Sequence, residues 1–469
     1  MNVLLLSTYE LGHQPFGLAS PAAFLTDAGA DVHSLDLAVD AFDETAIRAA
    51  ELIAIYVPMH TATRLAGMAV PRIRSINPSA HLCFYGLYAP LNEVYLRTEL
   101  GGGTILGGEF ESGLVNLYKF LSVNGSVVNM PQSDPIISLA KQGFRLPRRD
   151  GLTELSRYAY VDMGQNVRRV VGYTEASRGC KHLCRHCPVV PVYDGKFRIV
   201  PPRLVIDDIR QQVECGAEHI TFGDPDFFNG IGHAIPVVEA LHEEFPELTY
   251  DATIKVEHLL KYAEHIDILV RTGCLFVTTA VESVDDRVLN ILDKGHTRDD
   301  FVQVIKLARR ANLTISPTFI PFLPWSSREG YLELLQLLVH QGMVDYVAPV
   351  QLTIRLLIPE GSRLLAVEEM QKQLGKFDAA ALSYQWSYPD PAMDALHDQV
   401  SKAAEAGEAE GATRRQIFVE LWRLAHAACG LNPTSLDLPV ALDGSDHKPC
   451  LSEPWYCCAE PTAKQIAEF

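Results

Sequence analysis

The chain is 469 residues long, 48% hydrophobic and 21% charged, with a formal net charge of −18 at pH 7. That length has room for two or three domains with substantial cores. The acidic balance excludes a nucleic-acid backbone as the main partner, because phosphates need a basic surface. No apolar run is long enough to cross a bilayer. The start, Met1-Asn-Val-Leu-Leu-Leu-Ser7, lacks the basic region and cleavage site of a signal peptide and reads as a strand. Ten cysteines, several in close clusters, point to metal or redox chemistry in a reducing compartment rather than to a disulfide framework. The expected location is the cytoplasm.

Residues 1–125 alternate strand and helix. Val3–Ser7 is an apolar run suited to a buried parallel strand. A helix is expected near Pro21–Ala28, and strands at Asp31–Leu35, Leu52–Val57, His81–Tyr85 and Thr104–Leu106. Further helices fit Ala62–Ile73 and Glu111–Leu121. That order predicts an open, doubly wound sheet with any ligand at the carboxyl ends of its strands. The loop Tyr9-Glu-Leu-Gly-His-Gln-Pro-Phe-Gly17 lies there. Residues 126–169, with Pro131, Asp134-Pro135 and basic residues over Arg145–Arg149, read as a linker.

From 170 to 365 the pattern becomes regular. Strands are expected at Gly172–Ala176, His219–Phe222, Tyr250–Ile254, Leu275–Thr279, Thr314–Phe319 and Val350–Ile354. Helices fit Pro202–Cys215, Gly232–Glu244, Val256–His265, Asp285–Leu292, Arg298–Ala311 and Ser327–Gln341. Six βα units predict a partial (β/α)6 barrel, with chemistry at the carboxyl ends of its strands. Residues 366–430 read as helical, including Gln416–Ala428 with an apolar face, and 431–469 as a proline-rich tail containing cysteines.

After the first of these strands comes Ser177-Arg-Gly-Cys180-Lys-His-Leu-Cys184-Arg-His-Cys187-Pro188. Three soft ligands in eight residues suit a metal or a cluster. A four-iron cluster normally takes four thiolates, so Cys180, Cys184 and Cys187 would hold three corners and leave one iron open. Two other readings stand beside this one. A structural zinc site would take His182 or His186 as its fourth ligand, and three unrelated core cysteines would take none.

This stretch resembles the radical S-adenosylmethionine (SAM) superfamily, whose signature is Cys-x3-Cys-x2-Cys. The aromatic residue usual before the third cysteine is His186 here. The resemblance implies a [4Fe–4S] cluster on Cys180, Cys184 and Cys187, with SAM chelating the open iron. It also implies SAM contacts at the strand ends. Gly223-Asp224-Pro225-Asp226 takes the place of the family's Gly-Gly-Glu motif, with Asp224 or Asp226 accepting from the SAM ammonium. Lys255, Glu282 and Ser283 resemble positions that touch its carboxylate or ribose. The competing reading of these groups is a capping turn and solvated charges.

A doubly wound sheet before such a barrel resembles the cobalamin-binding domain of the B12-dependent branch. That branch sometimes carries Asp-x-His-x-x-Gly. Here Gly17 follows His13 one residue too late, and no Asp precedes the histidine correctly. A retained scaffold without cobalamin is the preferred expectation for this domain.

The tail holds Cys450, Cys457 and Cys458 within Lys448-Pro-Cys-Leu-Ser-Glu-Pro-Trp-Tyr-Cys-Cys-Ala-Glu-Pro461. A second metal set, a redox dithiol, a thiophilic substrate site and chance cysteines all compete. This ending resembles the radical SAM group named for a CUAEP or CCAEP tail, in which one cysteine of the pair is in some members selenocysteine. It is also similar to the radical SAM enzyme family of arsinothricin biosynthesis. The resemblance implies an electron from a flavodoxin- or ferredoxin-type donor and cleavage of SAM. In the arsenical reading, the 3-amino-3-carboxypropyl group moves to arsenite held on Cys450, Cys457 and Cys458. The alternative is a cobalamin-dependent methyltransferase or rearrangement enzyme acting through the 5′-deoxyadenosyl radical. A non-catalytic metal-binding protein with a degenerate barrel is the third class.

Overall fold

The structure is a computed structural model that describes residues 1–125, 136–433, 436 and 447–453. Its first sheet holds β1 (Asn2–Ser7), β2 (Asp31–Asp36), β3 (Leu52–Tyr56), β4 (His81–Tyr85), β5 (Thr104–Gly108) and β6 (Ile137–Ser138). They lie in the order β2-β1-β3-β4-β5-β6 with all pairs parallel. Alternate residues of one strand enter different cores. Leu4, Leu6, Ile53 and Ile55 meet Ala66, Val70 and Ile73 of the helix His60–Ile76. Val3, Leu5, Leu52 and Ala54 meet Leu18, Leu25, Leu114 and Leu117 of the helices Phe16–Asp27 and Glu111–Asn124. Both faces are covered, which is why these strands are apolar runs rather than alternations.

The second sheet contains β7 (Tyr160–Gly164) and β8 (Val167–Thr174). Between β8 and the next strand of this sheet comes a short antiparallel pair, β9 (Ser177–Gly179) with β10 (Phe197–Ile199). The sheet continues with β11 (His219–Phe222), β12 (Thr249–Thr253), β13 (Cys274–Glu282) and β14 (Thr314–Phe319). A hairpin of β15 (Leu374–Asp378) and β16 (Ser383–Trp386) stands apart, and β17 (Cys450–Leu451) closes the edge. The order is β14-β13-β12-β11-β8-β7-β17. Strands β8 and β11 to β14 are parallel, and helices such as Ile231–Glu244 and Arg298–Ala311 cover the outside. The result is an α/β fold with a doubly wound sheet followed by a partial barrel.

Three segments differ from the sequence reading. Val350–Ile354 is not a strand: Pro349–Leu352 forms a 3-10 turn and only an isolated parallel bridge joins Phe322 to Arg355. Pro349 has no N–H for a ladder and its fixed φ starts the turn. The Gln351 side chain instead accepts from Phe319 N at the end of β14 (3.4 Å). The stretch 126–169, read as a linker, supplies β6 to one sheet and β7 to the other. The region 366–430 has a short helix, Glu368–Gln371, and the β15–β16 hairpin before its two long helices, Ala392–Ala409 and Arg414–Ala428. Among the described residues, no helix is long and apolar enough to cross a membrane.

Candidate functional site

The cysteine loop leaves β9 at the carboxyl end of the barrel. Gly179 makes the turn possible: its φ is +72°, and a Cβ there would stand 2.3 Å from Lys196 O. Cys180 and Cys184 are buried and Cys187 is partly so. Asn229 Nδ2 donates to Cys180 Sγ (3.4 Å), while Lys181 N and Nζ donate to Asn229 Oδ1 and O. Burial pushes the Cys180 thiol up, and Asn229 pulls against it. Lys255 Nζ donates to Cys184 Sγ (3.8 Å).

This donor set does not suit a single zinc ion. Four ligands about one zinc stand roughly 3.8 Å apart when sulfur, yet the three thiols do not gather within 4.8 Å of one another. Neither histidine joins them. His182 faces Asp226 and Glu257, and His186 Nε2 faces Glu282 Oε1 (3.2 Å). Three wider-spaced thiols with lysines beside them fit a multi-iron cluster with one open corner.

Around this loop the ends of β11, β12 and β13 bring charged groups together. Asp224 is turned inward: its carboxylate accepts from Ala176 N (2.9 Å) and Ser177 Oγ. Burial, only partly offset by those bonds, pushes it to about 7. Asp226 Oδ1 accepts from Lys255 N (3.3 Å). Burial would raise Asp226, but the imidazoles of His182 and His258 outweigh it and hold it at about 2. Glu282 Oε1 meets Lys294 Nζ (3.1 Å). Burial is again outweighed, here by Lys294 and His186, and Glu282 sits at about 2. Ser283 Oγ accepts from Asp285 N in a turn, and Gly223 packs so tightly on Tyr173 that a Cβ would overlap its hydroxyl.

Sequence reading did not single out Asn229, Glu257, His258 or Lys294. Asn229 lies three residues beyond the Gly223–Asp226 stretch, and Lys294 follows the helix Asp286–Leu292. Neither residue type identifies its role without the fold.

The first sheet meets this rim. Its order reverses between β1 and β3, so a ligand crevice would open at their carboxyl ends. Tyr9, Met59, Leu65, Tyr88 and Leu91 fill that crevice together with Val192 and Tyr193, which follow the cysteine loop. His13 stacks on Tyr173 (4.8 Å) and burial lowers it to about 4. As placed, these side chains occupy the crevice.

Cys450 is not at the rim. It pairs with Asp162, which pairs with Arg168 of β8. From Arg168 to the end of β8 at Thr174 is roughly 20 Å of strand. Burial pushes the Cys450 thiol up, and Arg414 beside it pulls it down. Cys457 and Cys458 lie outside the described residues.

Residues 174–338 match the Radical SAM superfamily. Among curated proteins, the chain is 23% identical over 333 residues to the hopanoid C-3 methylase of Methylococcus capsulatus, covering 66% of this chain and 62% of that one. It is 22% identical over 298 residues to the tRNA-2-methylthio-N(6)-dimethylallyladenosine synthase of Desulfosudis oleivorans, covering 61% and 62%. The chain thus spans about three fifths of the length of these relatives. Among solved structures, the radical SAM methyltransferase TsrM of Kitasatospora setae, with tryptophan and a SAM analogue bound, superposes with a TM-score of 0.65 at 15% identity, covering 92% and 96%. OxsB, a cobalamin-dependent radical SAM enzyme with aqua-cobalamin and SAM bound, gives 0.63 at 13%, covering 87% and 67%. The stretch that matches the superfamily, 174–338, follows a Rossmann-like sheet.

Proposed function

We propose that this chain, whose residues 174–338 are a radical SAM domain, is a radical SAM transferase acting on a small molecule at the mouth of the barrel. The observation that carries this is the rim itself: three thiols on one loop, two buried and one partly so, beside the ends of three consecutive strands. When bound, a [4Fe–4S] cluster and SAM supply one-electron cleavage of a C–S bond. The chain's own part is to hold and shield. Cys180, Cys184 and Cys187 are the cluster ligands. Asp224, at the place of the Gly-Gly-Glu motif, ties the strand end beside the SAM ammonium to Ala176 and Ser177, and Gly223 lets that strand end pack on Tyr173. Lys255 and Lys294 offset thiolate and carboxylate charge, and Glu282 with Ser283 ends the strand that faces ribose or carboxylate. The first sheet covers the mouth and excludes water, which strengthens each of these polar contacts. A net charge of −18 favours a small-molecule substrate over tRNA.

The test is SAM turnover by the anaerobically reconstituted protein. SAM is expected to be consumed only with reductant, and not by Cys184→Ala. The product reads the bond: 5′-deoxyadenosine, 5′-methylthioadenosine or S-adenosylhomocysteine. Consumption without reductant, or none at all, overturns the proposal.

Corrinoid-dependent methyl transfer is the second reading. The likeness to TsrM over 92% of the chain favours it, and it requires Tyr9, Met59 and Tyr88 to vacate the crevice. Protein reconstituted with hydroxocobalamin and desalted separates the two by its visible spectrum. The filled crevice predicts that no corrinoid is retained. The arsenical transfer is not part of this proposal: Cys450 stands away from the rim, and its two companions are outside the described residues.

A further inference from the structure

Three side chains at the edge of the rim have no part in the scheme above. His182 belongs to the cysteine loop, Asp226 follows β11, and His258 lies in the helix Val256–Lys261 after β12. One potential ligand atom from each lies within 4.8 Å of the other two. Asp226 Oδ2 is 2.7 Å from His258 Nδ1 and 3.4 Å from His182 Nε2. The side chains are 18%, 0% and 8% exposed in chain order. All three atoms are buried, and although both imidazoles stand close enough to hold the Asp226 carboxylate low, none of the three makes a well-directed hydrogen bond. The separations are short, but the directions are not those of hydrogen bonds.

An unmet buried polar atom costs about 1–3 kcal/mol, so three of them aimed at one point call for a ligand. Metal–ligand bonds of about 2.0–2.2 Å place nitrogen and oxygen ligands roughly 3–3.5 Å apart, close to the two carboxylate–imidazole separations. Two imidazoles and one carboxylate suit first-row divalent metals and leave coordination positions open. The surroundings orient the set. Glu257 Oε2 is 3.6 Å from His182 Nδ1, on the far side of that ring, so a proton on Nδ1 leaves the Nε2 lone pair facing inward. Lys255 N occupies Asp226 Oδ1 and leaves Oδ2 for the site.

We propose that His182, Asp226 and His258 form a second metal site, separate from the cysteine triad, that takes one divalent first-row transition-metal ion. The ion ties the cysteine loop to the ends of β11 and β12. Asp226 is then a metal ligand and not an acceptor for the SAM ammonium, a role left to Asp224. The site depends on none of the radical chemistry.

The probe is zinc. Cluster-reconstituted protein, dialysed anaerobically against a buffered zinc series, is analysed for zinc, iron and sulfide per chain. One zinc per chain is expected beyond the iron. Asp226→Asn and His258→Gln should each weaken zinc by more than the roughly 10–100-fold that loss of a supporting group costs, while keeping iron. Zinc uptake equal to wild type in both variants overturns the proposal. Zinc-edge X-ray absorption of the wild type tests it without any variant: a shell of nitrogen and oxygen supports the site, and sulfur in that shell overturns it.

Discussion

Glu282 concentrates the physical problem of this rim in one residue. Its φ is +66°, where the register of β13 against β14 shifts. A non-glycine residue there costs roughly 1–2 kcal/mol. Its side chain is 1% exposed and would be neutral in an apolar cavity, yet Lys294 and His186 hold it ionised. A carboxylate whose pKa is depressed on folding stabilises the fold above its unfolded value, near 4.5. That stability is lost as pH falls through the folded value, here about 2. Glu282→Gln leaves Lys294 buried beside a neutral amide. Breaking a buried pair in this way costs roughly 3–5 kcal/mol. Urea unfolding of the anaerobic protein at pH 7 should show that loss. The gap to wild type should narrow as pH falls below 4, because the wild type then gives up the same charge. A variant as stable as wild type at pH 7 means that the Lys294 contact carries no net energy.

At the scale of elements, the cysteine loop depends on the short strand that feeds it. Gly179→Ala puts a Cβ against Lys196 O at 2.3 Å and forces a φ of +72° on alanine. Both effects act one residue before Cys180. Iron per chain after reconstitution should fall at least by half, while far-UV circular dichroism stays near wild type because β9 is only three residues long. Full iron loading would show that the loop does not need this turn. The cysteine spacing and the parallel strands were legible because each is a local pattern: His81–Tyr85, His219–Phe222 and Thr314–Phe319 match the structure residue for residue. What escaped is set by tertiary context. The β15 strand carries Gly375 and exposed Lys376, so its alternation is weak, and it is defined by Trp386 packing across the hairpin. His258 reads as one more polar residue on a helix. Only the approach of Asp226 and His182 from two other segments gives it meaning.

The whole molecule is joined where Arg178, two residues before Cys180, reaches into the first domain. Arg178 Nη1 meets Glu111 Oε1 (2.6 Å) and stands 3.7 Å from Glu109 Oε2, while Nε meets Glu175 Oε2 (2.6 Å). Ser20 Oγ and Gln142 Nε2 also donate to Glu111. The guanidinium lies near the rings of Phe16, Phe110 and Phe144. One cation thus faces three carboxylates in a buried interface. Burial raises Glu109 and Glu175 with Arg178 opposing it, whereas at Glu111 the attraction wins and the pKa is lowered. The tail reinforces the same junction from the far edge: Ser452 N donates to Tyr160 O, and Tyr9 Oη donates to Glu453 Oε1 (2.7 Å). Arg178→Met removes the charge but keeps most of the length. Glu111, with its side chain 0% exposed, is then an uncompensated buried ion, at a cost of roughly 3–5 kcal/mol. Because the arginine joins the first sheet to the strand feeding Cys180, the melting temperature and the iron content should fall together. Arg178→Lys should lose less, keeping the charge but not the fork. The decisive comparison adds Glu111→Gln to Arg178→Met. If the pair couples the two domains, the double variant recovers about 0.5–3 kcal/mol relative to the sum of the single changes. Strict additivity would mean that Arg178 acts on the cysteine loop alone and that the domains are held together by the apolar contacts of Tyr88, Leu91, Val192 and Tyr193.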